Sequence, residues 1–133
     1  YLLNEKSGFL GVSGVSADMR DVEDAAATGN ERAKLAIKLF YNSILRYVGQ
    51  YIAEMGGVDG IVFTGGIGEN SPETSEAIMK RLAYMGVTIN ETENKKRGAQ
   101  TIISGPDSTV TVMRIPTDEE YMIAQHVWRL LEN

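Results

Sequence analysis

Between Ile61 and Glu73 the chain reads IVFTGGIGENSPE, with three glycines (Gly65, Gly66 and Gly68) inside four positions, between an apolar run and a helix-opening signal. Glycines at such a junction let the backbone take conformations that a side chain forbids, and let a ligand approach the main chain closely. The N-terminus of a following helix adds unpaired N–H groups and partial positive charge. Together they could cradle a phosphate or a nucleotide. In an open α/β sheet the same turn sits at the carboxyl end of a strand, where ligands tend to bind.

The common phosphate signatures are absent. Counted from Gly66, a Rossmann fingerprint needs glycine at its sixth place and meets Ser71; no G-K-[ST] follows, so there is no Walker loop. On pattern alone two readings stay open, a ligand cradle and a tight strand-to-helix turn. The other reactive residue types offer less. The chain has no cysteine, which removes disulfides, thiolate catalysis and Cys-type zinc sites, and fits a reducing compartment. His126 is the lone histidine and has no metal partner at helical spacing, so it reads as a surface or packing residue. Tyr121, Ala124, Trp128 and Leu131 share a helical face, which favours core or interface packing over a stacking role for Trp128. ENKKRG reads as a solvated loop.

The elements that must position the glycines follow from periodicity. A long helix is expected after Asn30, its cap, with Leu35, Leu39, Leu45, Val48, Ile52 and Met55 on one face and Gly56 and Gly57 as its stop. Gly60 to Thr64 is a short apolar run without alternation, as in a strand buried on both faces. Ser71 can cap the next helix, with Pro72 at its first position and Glu73 favouring its positive end. Ile78, Leu82 and Met85 form its apolar face, and Gly86 closes it. A strand is expected over Val87 to Ile89, then a polar loop, a strand from Thr101, an SGPDS turn, and a strand from Thr109 to Ile115 ended by Pro116. Thr117 to Glu120 spells T-x-x-E, a capping box for a helix running towards Leu131. Helices alternating with strands argue for an α/β layer architecture.

At 133 residues the chain is one domain's worth and long enough for a hydrophobic core. With 43% hydrophobic and 23% charged residues it has the composition of a globular protein. No apolar run approaches the roughly 20 residues that cross a bilayer. Thirteen Lys and Arg against eighteen Asp and Glu leave a net charge of -5, which argues against a diffuse grip on nucleic acid; a phosphate ligand needs a local site. No signal peptide is visible. The chain begins YLLNEKSGFL without an initiator Met, so further upstream sequence is expected.

GVSGVSADMRD, IVFTGGIGENSPE and IPTDEEYMIA occur in this order, and with them the whole chain resembles the C-terminal third of the acetokinase family, in the acetate and sugar kinase, Hsp70 and actin superfamily. The resemblance implies a ribonuclease H-like, actin-like ATPase type of nucleotide-binding domain, α/β with a mixed sheet flanked by helices. It implies reversible transfer of the ATP γ-phosphoryl to acetate, giving acetyl phosphate and ADP, with Mg2+ as cofactor, in a cytoplasmic homodimer with no membrane or nucleic-acid partner.

Residue by residue, Gly66, Ile67, Gly68, Glu69 and Asn70 match the family's nucleotide loop. Asp18, Met19 and Arg20 match its second nucleotide segment, with Asp18 and Arg20 in the D-x-R positions. By resemblance Arg20 is the catalytic arginine, and a guanidinium fork suits the charge shared by a transferring phosphoryl group. Glu119 matches the family's magnesium-holding glutamate; magnesium takes one or two carboxylates beside substrate phosphates. Many relatives carry Asn where this chain has Asp118, which adds a charge near the expected metal. Plainer alternatives stand beside each residue. Glu69 and Asn70 suit a helix start, Arg20 can pair with Asp18 or Asp21, and Glu119 and Glu120 suit a first helical turn. The family's acetate pocket and catalytic histidine are expected upstream, so the isolated 133 residues are expected to bind nucleotide weakly or not at all and not to turn over acetate. Propionate or butyrate kinase, and a noncatalytic nucleotide-binding or assembly module, are the alternatives.

Overall fold

The structure is a computed structural model that describes residues 1–2 and 6–132. Helix begins earlier than the glycine and serine content of the first segment suggests. Helix α1 spans Gly8–Ser13, and α2 spans Met19–Ala27, capped by Asp18, whose carboxylate accepts from the Arg20 N–H at 2.9 Å. Helix α3, Glu31–Met55, starts as expected, with the Asn30 side chain accepting from the Ala33 N–H at 3.1 Å. It ends on Gly56 at φ 73°, and the Gly57 N–H reaches back to the Ile52 carbonyl at 2.9 Å, a closure that the left-handed glycine allows.

The long helix buries a different face from the expected one. Val22, Ala33 and Ala36 form a core cluster, with Phe9, Val12, Ala25, Ala26 and Ile37 packed against it. Alanines let α1 and α2 come close to α3, and the approach of packed helices is set by the side chains between them. Leu35, Leu39 and Met55 of the expected row are exposed instead.

The chain divides into two compact units, Tyr1–Gly57 and Val58–Asn133. The second holds β1 (Gly60–Phe63), α4 (Gly65–Asn70), α5 (Pro72–Arg81), a short 3-10 turn (Ala83–Met85), α6 (Glu91–Asn94), β2 (Thr101–Ile102), β3 (Thr111–Arg114) and α7 (Glu119–Leu131). The expected mixed sheet is present, in the order β1-β3-β2. β1 runs parallel to β3 with Phe63 opposite Arg114, and β2 runs antiparallel to β3 with Thr101 opposite Arg114. Ile78, Met79, Leu82, Val87, Ile103, Val110 and Val112 are buried around it.

Four local expectations differ. β1 has β3 as its one neighbour in this sheet and leaves Val62 exposed, so it is an edge strand and not one buried on both faces. Val87 to Ile89 makes a single bridge, Ile89 to Ser104, in place of a strand. The T-x-x-E box does not form: Asp118 caps α7 through the Tyr121 N–H at 2.9 Å, while the Thr117 hydroxyl bonds Glu69. Tyr121, Trp128 and Leu131 are exposed on α7, so they are not core. Ser71 and Pro72 do open α5, with Ser71 Oγ accepting from the Thr74 N–H at 3.1 Å. Among the described residues no helix is long and apolar enough to cross a membrane.

Two glycines make opposite demands. Gly86 sits at φ 81°, where a Cβ would lie 2.4 Å from Thr109 Oγ1, and the Thr109 N–H is held by the Gly86 carbonyl at 3.1 Å. Gly49 lies inside α3 with nothing within 4 Å of an added Cβ. Chemical denaturation should therefore show Gly86→Ala losing about 2 kcal/mol or more to the left-handed backbone and the contact. Gly49→Ala should gain about 0.5–1 kcal/mol.

Candidate functional site

The glycine stretch is itself a short helix, α4, and not an open loop before α5. Its glycines have separate reasons. Gly65 stands at φ 70°, a conformation that side chains rarely adopt, and turns the chain from β1 into α4. At Gly68 a Cβ would lie 3.2 Å from the Phe63 carbonyl carbon, so the missing side chain lets α4 lie against the end of β1. Gly66 meets nothing within 4 Å and leaves open main chain.

Glu69 fastens this turn. Its Oε1 accepts from the Gly65 N–H at 2.9 Å, the Thr117 N–H at 2.9 Å and the Thr117 hydroxyl at 3.0 Å. The Thr117 bonds, followed by that from Gly65, hold the carboxyl below its usual range, because three donors favour the charged form. Asn70 turns inward on its own helix, donating to the Gly66 carbonyl at 3.0 Å. Ser71, and neither Glu69 nor Asn70, caps α5; those two side chains bond Gly65, Thr117 and Gly66 instead.

By this tie the glycine turn and the start of α7 face one cleft of about 450 Å³, lined by Gly65, Gly66, Glu69, Thr117, Asp118, Glu119 and Glu120. Gly66, Glu69 and Glu119 are brought together there. Ile67, Gly68 and Asn70 belong to the same turn outside that lining. Asp118 is engaged as the α7 cap, whereas Glu119 and Glu120 stand exposed in the first turn. Among the described residues no group of three or more His, Cys, Asp or Glu is arranged as a metal cage. Hard carboxylate oxygens at one rim suit a magnesium ion, which keeps several waters and takes its remaining ligands from phosphate. His126 lies farther along α7, beside an apolar groove with Met122 and Ile123.

Asp18, Met19 and Arg20 lie in the first unit. Met19 is buried, so its side chain packs inside that unit. Arg20 forms the ion pair that the plainer reading allowed: Nε reaches Asp18 Oδ1 at 3.1 Å and Nη2 reaches Oδ2 at 2.6 Å, with the arginine side chain 86% exposed. The Arg20 side-chain and backbone bonds draw the Asp18 carboxyl down to about 2, and Asp18 in turn raises the arginine.

One side chain near the turn escapes sequence reading. Arg114, at the end of β3, is fully buried, and its Nε donates to the Gly68 carbonyl at 3.3 Å. A signal existed in the alternation of TVTVMRI, which sets Arg114 on the same face as the buried Val110 and Val112.

Known proteins resemble this chain over nearly its whole length. The Acetokinase family model matches residues 1–125. The chain is 50% identical over 130 residues to an acetate kinase of Desulforamulus reducens, covering 98% of this chain and 33% of that protein. The crystal structure of Porphyromonas gingivalis acetate kinase matches with a TM-score of 0.88 at 51% identity, over 98% of this chain and 33% of that one. A propionate kinase from Francisella tularensis matches with a TM-score of 0.82 at 40% identity, over 93% and 31%. The chain thus spans about a third of the length of the relatives it matches. On the family match and these identities together, the chain belongs to the acetokinase family.

Proposed function

We propose that this chain is the C-terminal, nucleotide- and magnesium-binding part of an ATP:acetate phosphotransferase, an enzyme that moves the γ-phosphoryl of ATP to acetate reversibly. The observation that carries the reading is the cleft in which Gly66, with no side chain to cover its main chain, and the carboxylate of Glu119 face the same space, tied together by Glu69. The turn offers main chain to the polyphosphate. Its Ile67, 38% exposed, offers an apolar surface to the rest of the nucleotide.

Charge explains the need for a metal. Glu69, Asp118, Glu119 and Glu120 line the cleft, so a bare polyphosphate would be repelled. Glu119 would hold the magnesium ion, which would supply neutralisation of the phosphate charge. By the family resemblance Arg20 would stabilise charge on the transferring group, and it would release Asp18 to do so. That exchange is cheap because the pair is exposed. The protein acts as a cytoplasmic homodimer on this reading.

Arg20→Ala in the full-length protein should lower kcat about a thousandfold with the fold intact, since arginines that stabilise phosphoryl transfer are worth at least that much. Unchanged turnover would remove Arg20 from the reaction, and no turnover in the parent would leave a noncatalytic nucleotide-binding or assembly module. Glu119→Gln should raise the Mg2+ concentration for half-maximal rate about tenfold, the equivalent of one weakened charged ligand. The Francisella match favours a second reading, transfer to propionate. Specificity constants across acetate, propionate and butyrate decide it: a maximum at acetate supports the first reading, a maximum at a longer acid the second.

A further inference from the structure

We propose that Arg114 is a positioning residue for the nucleotide turn, fixing Gly68 from inside so that Gly65 and Gly66 face the cleft; this rests on the functional reading above. The guanidinium is fully buried and grips four places at once. Besides Gly68, it donates to the Asn94 carbonyl at 3.1 Å, to Asn94 Oδ1 at 3.1 Å, to Ser75 Oγ at 3.3 Å and to the Lys96 carbonyl. These acceptors sit on α4, α5, α6 and the segment after α6.

Every one of them is neutral. Among the described residues no carboxylate pairs with Arg114, and burial, with Arg97 nearby, lowers its affinity for the proton. A buried charge without a counter-ion costs stability, and an apolar residue of similar volume commonly packs better. Val110 and Val112 on the same face of the strand show that the core here accepts apolar side chains. What a guanidinium adds is direction. Its planar fork of five donors holds several acceptors at fixed angles, which a flexible ammonium cannot do.

The grip is also placed where the turn needs it. Arg114 holds Gly68, and Thr117, three positions on, holds Glu69, so consecutive residues of α4 are gripped by one strand end and its following loop. From another direction the Gly98 N–H donates to the Glu69 carbonyl at 3.1 Å, and Arg114 itself reaches Lys96 in that segment. The turn is therefore located by two segments, and Arg114 touches both.

The test uses the full-length protein with Arg114→Lys, which keeps the charge and loses the fork. Hydrogen exchange of the amides of residues 65–71 should quicken about tenfold, and the nucleotide KM should rise about tenfold with the KM for the acyl acceptor unmoved, the scale of one lost charged hydrogen bond. A merely structural arginine would lower the amount of active protein and leave the nucleotide KM alone; that result, or unaltered exchange in the turn, overturns the proposal. If Arg114→Lys does not fold, Ser75→Ala removes one acceptor while keeping the arginine, and should give the same two changes at about two- to threefold. No change in either overturns it equally. A parent protein that binds no ATP overturns the functional reading and this inference with it, and is seen before any variant is made.

Discussion

One carboxylate oxygen organises the second unit's exposed edge. Parallel β1 and β3 bring Phe63 and Arg114 side by side, so the chain leaves both strands at the same end of the sheet. Two departing segments would separate unless something joined them, and Glu69 Oε1 does so by accepting from Gly65 and twice from Thr117. The rest of the local geometry follows. Gly65, whose N–H meets that oxygen, stands at a positive φ, and Gly68 lacks the Cβ that would crowd Phe63. Thr117, drawn to Glu69, is unavailable as a cap, and Asp118 takes its place. Three donors on one charged oxygen are worth more than neutral bonds, which is why a distant contact can override a local capping preference.

The same arrangement sets the electrostatics. Carboxylates gather at the open side of the turn, while the Arg114 charge is buried on its interior side, bonded to carbonyl, amide and hydroxyl oxygens. An acidic rim alone would turn an anion away. It suits a ligand that arrives with a divalent cation, and that makes metal and nucleotide interdependent on the proposed reading.

Sequence reading succeeded where a signal is local and failed where a distant partner decides. Asn30, Gly56, Ser71 and Pro72 mark helix ends through bonds within a few residues of themselves, and each does so in the structure. Thr117 carried an equally good local signal and lost it to Glu69. The leucine row of α3 was legible as a helical face, but which face is buried depends on α1 and α2, whose approach selects the alanines. In the site, the glycine turn was legible from its composition and Glu119 only through family resemblance. Arg114 was hidden because arginine on a short strand reads as a solvent-facing residue; only its register with Val110 and Val112 told otherwise.

On the proposed reading, binding and catalysis fall to different parts of the chain. Main-chain contacts at the turn would be made to nucleotide before, during and after transfer, so they lower the free energy of every bound state alike and do little for the chemical step. Acceleration requires a group whose interaction grows as charge spreads over the transferring phosphoryl. On the proposed reading Arg20 is that group. Its backbone is fixed by the Asp18 cap at the start of α2, and its side chain is exposed and held by a partner it can release. The Asp18 carboxylate orients the planar fork through two bonds, from Nε to Oδ1 and from Nη2 to Oδ2. On the proposed reading an exposed pair costs little to exchange, and the gain would be greatest where the new partner carries the most shared charge, in the transition state.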